Sequence, residues 1–429
     1  MVYYADFHIH SRFSRATSPN LTLPILDEFA RRKGIQLLGT GDFTHPLWFA
    51  EIKDQLTAAP EKGLFVLKSA NDEQATRFIL SVEISSIYPQ GGKTRRIHTV
   101  VILPSISAAD IFNQRLGAQG AKLSSDGRPI VGLSVKQIAQ LAFEAAPNAI
   151  VIPAHAWTPW FGILGSMSGF DSLEDCFEEL APKILAIETG LSSDPPMNWR
   201  LSALDKVALI STSDAHSPGK IGREATIFDG DLSYSAVYDA LKAGAPSAGH
   251  SQSGTKLVGT IEFFPEEGKY HYDGHSAHRI RWSPDETKAH KAICPVCARR
   301  VTVGVLSRVE ELADRPADFK PPRTATFRSL VPLDEIIAEA LGVRTATKKV
   351  GQYYEALIKS FDNEFNVLLD AVLAEINSAS NAAIAEGVKR VREGNLHIEP
   401  GYDGEYGVVK VFTDEERAAL SDTSQIRLF

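Results

Sequence analysis

"DFHIHSRFSR", residues 6–15, sets His8 and His10 one residue apart, in a chain of 429 residues with only 12 histidines. The stretch "VYYADFHIHS" alternates and is rich in aromatic and β-branched residues, so the spacing predicts a short strand running through both histidines. Residues i and i+2 of a strand share a face, which would put both imidazoles on the same side. Downstream, Thr22 reads as an N-cap and Pro24 as a first-turn residue. Ile25, Leu26, Phe29 and Ala30 form an apolar stripe, and Gly34 is the stop. The run Ile35 to Leu38 is then a second buried strand. The result is a βαβ unit whose strand ends carry His8, His10, Asp42 and His45. In isolation, two histidines in a strand more often only hydrogen-bond.

The same pattern recurs along the chain. Glu83 lies in "FILSVEIS", His98 in "RRIHTVVIL", and His155 ends "AIVIPAH". Asp214 and His216 close "VALISTSDAH". Each sits in or at the C-terminal end of a hydrophobic run, where α/β barrels place their chemistry. Histidines and carboxylates gathered there from several successive strands point to a multinuclear metal site.

This set, HxH, Glu, His, His and DxH in order, resembles the PHP (polymerase and histidinol phosphatase) superfamily over roughly residues 1–250. The resemblance implies an α/β fold, a distorted (β/α)7 barrel that typically holds up to three Zn, Mn or Fe ions. Carried over, His8, His10, Glu83 and Asp214 would hold one metal and take the catalytic roles. Glu83 would bridge to a second metal held by His98 and His155, and Asp42, His45 and His216 are candidates for a third. Two or three divalent metals (Zn, Mn or Mg) are therefore expected in the barrel. Two departures stand out: "GDFTH" has Phe43 after the aspartate where the family usually has histidine, and "RFSRAT" lacks the ligand that many members carry after HxH.

A chain of this length exceeds one ordinary barrel. Residues 1–255 are read as the barrel, 256–330 as a zinc-binding module, 331–394 as a helical region and 395–429 as a C-terminal segment and tail. A net charge of −8, no run of 18 apolar residues and no signal peptide suggest a soluble cytoplasmic protein, expected to be a monomer. Three cysteines, with Cys176 isolated, argue against a disulfide framework. His275 and His278 form HxxH, Cys294 and Cys297 form CxxC, and fifteen residues separate the pairs. Two thiolates and two imidazoles suit one tetrahedral structural zinc, with His271 and His290 as rival ligands. Residues 276–330 carry eleven Lys and Arg against six Asp and Glu, a basic face suited to a phosphate backbone.

Barrel, knuckle and helices in this order resemble one PHP branch, the endonuclease Q family of DNA repair nucleases. The stretches that carry the likeness are "DFHIHSRFSRATSPNLTLPIL", "GTGDFTHP", "STSDAHSP", "EGKYHYDGH", "CPVC" and "GVLSRVEELADRP". In that family the fourth zinc ligand is often cysteine, a place that His278 takes here. The resemblance implies metal-activated hydrolysis of DNA on the 5′ side of a deaminated base (hypoxanthine, uracil) or an abasic site, with the damaged nucleotide extruded for inspection. Arg12 and Arg15 would contact phosphate or form surface ion pairs. A PHP-type phosphomonoesterase acting on a small phosphorylated substrate is the alternative, and a non-catalytic PHP scaffold a further one. The last five residues, "QIRLF", resemble the bacterial sliding-clamp-binding pentapeptide, which would make Gln425, Leu428 and Phe429 partner-binding residues.

Overall fold

A computed structural model describes residues 1–70, 75–244, 254–322 and 324–419. The first helix, Leu23–Lys33, begins after extended Thr22 with Pro24 in its first turn, and ends on Gly34 in the left-handed region at φ 93°. There a residue without Cβ closes the helix at little cost. Leu23, Leu26 and Ala30 are fully buried, whereas Ile25 and Phe29 are only half-buried.

The main sheet is mixed. Val2–Asp6 pairs in parallel with Leu37–Gly39, which pairs in parallel with Arg77–Gln90. That long strand doubles back antiparallel onto Lys93–Leu103 through the tight Gly91–Gly92 turn, and Lys93–Leu103 continues antiparallel onto Ile150–Pro153. On the other side Val2–Asp6 pairs antiparallel with Ala225–Asp229, followed by Lys256–Glu262 and Thr326–Ser329. One sheet thus runs across position 255.

Two expectations are corrected here. The first strand stops at Asp6, before the histidines. His8 and His10 lie on an extended continuation held by the single bridge Ile9–Ala215. Nor do the described strands close into a continuous barrel. Ala186–Glu188 and Ala208–Ile210 pair in parallel only with each other. Single backbone bonds, Ala156 N–H to Glu188 C=O at 3.1 Å and His10 N–H to Ala215 C=O at 3.1 Å, span the two gaps. The two three-residue strands are too short to carry a ladder on both sides, so the sheet stays open at them. The 77–103 hairpin is a separate departure: its two-residue turn leaves no room for a crossover helix, and the strict β/α alternation breaks there.

The C-terminal helices Leu333–Leu341, Lys348–Phe361, Leu373–Ala379 and Ala382–Glu393 follow. They are tied to the first helix by a buried ion pair, Lys33 Nζ to Glu364 Oε2 at 2.6 Å. Both residues are 3% exposed. Glu364 also accepts from Leu333 N–H at 3.0 Å and the Tyr354 hydroxyl at 2.7 Å. No helix among the described residues is long and apolar enough to cross a membrane.

Removing one partner of such a pair strands a buried charge. Lys33→Met is expected to destabilise the fold by about 3–5 kcal/mol in urea unfolding, and Lys33→Met with Glu364→Gln to recover most of that loss. Additive losses in the double variant would contradict the pairing.

Candidate metal centre

Glu83 lies in the middle of its strand, opposite Val100, with its carboxylate fully buried. Its two oxygens face different partners. Oε1 is 2.6 Å from His98 Nδ1 and 3.3 Å from His155 Nε2. Oε2 is 3.3 Å from His10 Nε2, 3.5 Å from His8 Nε2 and 2.9 Å from the Arg128 guanidinium. Asp214 Oδ1 closes the second side, 3.0 Å from His10 Nε2 and 3.5 Å from His8 Nε2. Two sets emerge, each with all its donor atoms within 4.8 Å of one another: His8, His10, Glu83 and Asp214, and Glu83, His98 and His155.

The rings are held from behind. His8 Nδ1 is 3.1 and 3.0 Å from the two oxygens of Glu188, His10 Nδ1 is 3.1 Å from Asp42, and His155 Nδ1 is 3.0 Å from the Thr158 hydroxyl. This orients Nε2 inward, as partners of metal-ligating histidines do. His8 Nε2 is buried with no hydrogen-bond partner at all. A donor set of imidazoles and carboxylates around an orphaned nitrogen fits divalent cations. Asp42, His155 and Asp214 hold left-handed φ values of 50°, 30° and 47°. Non-glycine residues carry strain there, which marks functional turns.

The charges are strongly coupled. Burial opposes protonation of His8 and His10, yet the surrounding carboxylates hold both imidazoles charged well above their usual range. Burial likewise opposes ionisation of Glu83 and Asp214, and the neighbouring imidazoles, joined at Glu83 by Arg128, hold both carboxylates well below theirs. His98 is pushed down to about 4, chiefly by burial.

Other expected site residues are placed differently. Among the described residues Asp42, His45 and His216 do not gather into a donor set. Asp42 instead takes hydrogen bonds from Ser11 and Ser14 besides facing His10, so its oxygens are occupied. His45 stacks on Phe13 with ring centroids 4.4 Å apart. His216 lies beside His10 and turns Nδ1 to the Asp214 carbonyl at 2.8 Å. Arg12 pairs with Glu51 at 2.7 Å and Arg15 with Asp126 at 3.1 Å. Gln425, Leu428 and Phe429 lie outside the described residues.

Glu188 and Arg128 were not anticipated. Glu188 ends the buried run "ILAIE", the same signal that marked Asp214. Arg128 has no periodic signal, because it reaches the centre from a loop. That loop passes so close that a Cβ on Gly127 would lie 2.3 Å from Asp42 Oδ2 and 2.4 Å from Ser14 Oγ. A cavity of about 320 Å³ opens above the two sets, its wall including Arg128, Trp160, Phe161 and Leu191.

In the knuckle His275, His278, Cys294 and Cys297 form a third set. The two Nδ1 atoms are 3.0 Å apart, and each has a thiol 3.4–3.5 Å away. The rival His290 stacks on Trp282, and His271 is buried beside Tyr272.

Behind the centre lie two further buried carboxylates, Glu224 and Glu262, each with one oxygen lacking a hydrogen-bond partner. Glu262 accepts from Thr189 Oγ1 at 2.8 Å and Ser211 Oγ at 3.2 Å. Burial pushes its pKa up to about 7, and burial together with Glu262 raises that of Glu224.

A family model described as the MJ0043 C-terminal domain matches residues 332–395. The Methanocaldococcus jannaschii protein MJ0043 is 33% identical over 260 residues, 59% of this chain but only 31% of that relative's length. The Bacillus subtilis protein YqxK is 28% identical over 420 residues, covering 95% of this chain and 99% of its own. Among solved structures, the lesion-specific endonuclease PfuEndoQ of Pyrococcus furiosus is 30% identical with a TM-score of 0.83 over 99% of each chain. An endonuclease Q complex with a 27-mer duplex carrying an abasic lesion at the active site has the same identity and TM-score, over 99% of this chain and 100% of that one.

The buried pair gives a pH signature. Folded Glu262 keeps its proton to about pH 7, whereas an unfolded glutamate loses it near pH ~4.3. The folded state therefore binds more protons between these values, and stability falls as pH rises through that window. Glu262→Gln is expected to lose less stability than the parent between pH 5 and 8 in urea titrations, other groups being common to both. Parallel profiles would show that Glu262 is ionised throughout.

Proposed function

This chain belongs to the endonuclease Q family of DNA repair endonucleases, and from that premise we propose that it cuts DNA on the 5′ side of a deaminated base or an abasic site. The observation that carries the reading is Glu83, whose two carboxylate oxygens serve two separate donor sets. His8, His10, Glu83 and Asp214 would hold one divalent ion, and Glu83, His98 and His155 a second. The histidine content favours zinc or manganese over magnesium, which prefers oxygen ligands. Such ions supply an activated water and positive charge against the phosphodiester oxygens. Glu188 and Asp42 keep the rings of His8 and His10 turned inward. Arg128, which pairs with Glu83 and lines the cleft, brings a guanidinium there for a phosphate oxygen, whereas Arg12 and Arg15 do not line it. Trp160 and Phe161 offer aromatic faces on the cavity wall for an extruded nucleotide.

The knuckle set is read as one structural zinc that holds the 256–330 module together, beside the barrel at 1–255, the helices at 331–394 and the tail from 395. The terminal "QIRLF" is read as a tether to the sliding clamp, and the protein as a cytoplasmic monomer.

The test is nicking of oligonucleotides bearing deoxyinosine, deoxyuridine or an abasic site, beside undamaged DNA and a generic phosphomonoester, with and without chelator. Chelator-sensitive cleavage 5′ to a lesion is expected. Glu83→Gln should abolish it, and Glu188→Gln should cost about 10–100-fold. Hydrolysis of the phosphomonoester alone, or cleavage that survives Glu83→Gln, would overturn the reading.

For the tail, a peptide of the last ten residues is expected to bind the bacterial clamp at about micromolar Kd, as a few anchors on a flexible segment allow. Leu428→Ala with Phe429→Ala in the full chain should remove clamp binding. Equal affinity of the two proteins would rule out the tether.

A further inference from the structure

Several cations of the zinc module are held in ion pairs. Arg308 is buried against Asp171 and Glu311, Arg315 pairs with Asp205, and Lys288 lies near Asp285 and Glu310. Three of the others cluster at one place. Lys291, Arg299 and Arg300 flank the CxxC turn, are exposed, and take part in no ion pair among the described residues. The ten residues 291–300, "KAICPVCARR", hold no acidic side chain, a local charge of +3 on a chain whose total is −8.

The tip is also stiff. Cys294 N–H donates to Arg299 C=O at 2.8 Å, Ala298 N–H to Cys294 C=O at 2.9 Å, and Val301 N–H to Ala292 C=O at 3.0 Å. These three bonds brace the turn that carries the three cations. Between them Val296 is 65% exposed, an apolar crest whose removal from water against sugar and base edges is favourable.

The geometry points to the knuckle tip as an electrostatic clamp on the phosphate backbone of duplex DNA, with Lys291, Arg299 and Arg300 as its contacts. Unpaired cations on a rigid mount neutralise phosphates without first breaking ion pairs of their own. The contact carries no sequence information, which suits an enzyme that must hold any duplex around a lesion. This inference rests on the nuclease reading above.

The test is the salt dependence of binding to an undamaged duplex by the full zinc-loaded protein. In the Lys291→Ala/Arg299→Ala/Arg300→Ala variant, the slope of log K against log salt should flatten by about 2.7, or about 0.9 for each lost contact. Lys291→Gln alone should flatten it by about 0.9. Lys136→Ala, which removes a cation already paired with Glu178 and Glu179, should leave the slope unchanged. Zinc content, measured alongside, shows whether the knuckle survives; if the triple variant loses zinc, Lys291→Gln decides. Unchanged slopes in zinc-retaining variants of a protein that nicks lesions would overturn the clamp alone. A parent protein that neither binds duplex nor nicks lesions would overturn the nuclease reading with it.

Discussion

A single buried carboxylate organises the centre. Glu83 sits in mid-strand with one oxygen turned to His98 and His155 and the other to His8 and His10. An ionised group so deep is tolerable only among positive partners, and every neighbour has a part in that requirement. Arg128 leans in from its loop, Glu188 and Asp42 fix the imidazoles, and the strained turns at Asp42, His155 and Asp214 bring their side chains to the same point.

The rest of the chain frames that point. The sheet passes from the histidines through Val2–Asp6 to Lys256–Glu262 and Thr326–Ser329, so the segment carrying the knuckle leaves and rejoins the same sheet. The helices after residue 332 are locked to the first helix by Lys33 and Glu364, a pair buried enough to act as a fixed joint. Cleft, knuckle and helical region are thereby mounted on one framework.

Much of this was legible in the sequence because chemistry-bearing residues interrupt or end apolar runs. His8, His10, Glu83, His98, His155 and Asp214 were all visible in that way, as were the HxxH and CxxC pairs and the limits of the first helix. What one dimension cannot separate is a residue facing the centre from one standing behind it. Asp42 and Asp214 both follow apolar runs, yet Asp42 spends its oxygens on Ser11, Ser14 and His10. Glu188 ends an apolar run in the same way, yet it stands behind the ring of His8. Arg128 gave none, since loop residues gain their meaning from close approach, here made possible by Gly127. The open sheet was hidden too, because a hydrophobic run shows that a strand forms but not with which neighbour it pairs.

The most direct test of a bridging Glu83 is anomalous diffraction from crystals of the zinc- or manganese-loaded protein. The account expects two peaks in the cleft, one on each side of the Glu83 carboxylate, with Asp42 and His45 touching neither. A single peak in the cleft, or peaks that leave Glu83 without a metal neighbour, would contradict it.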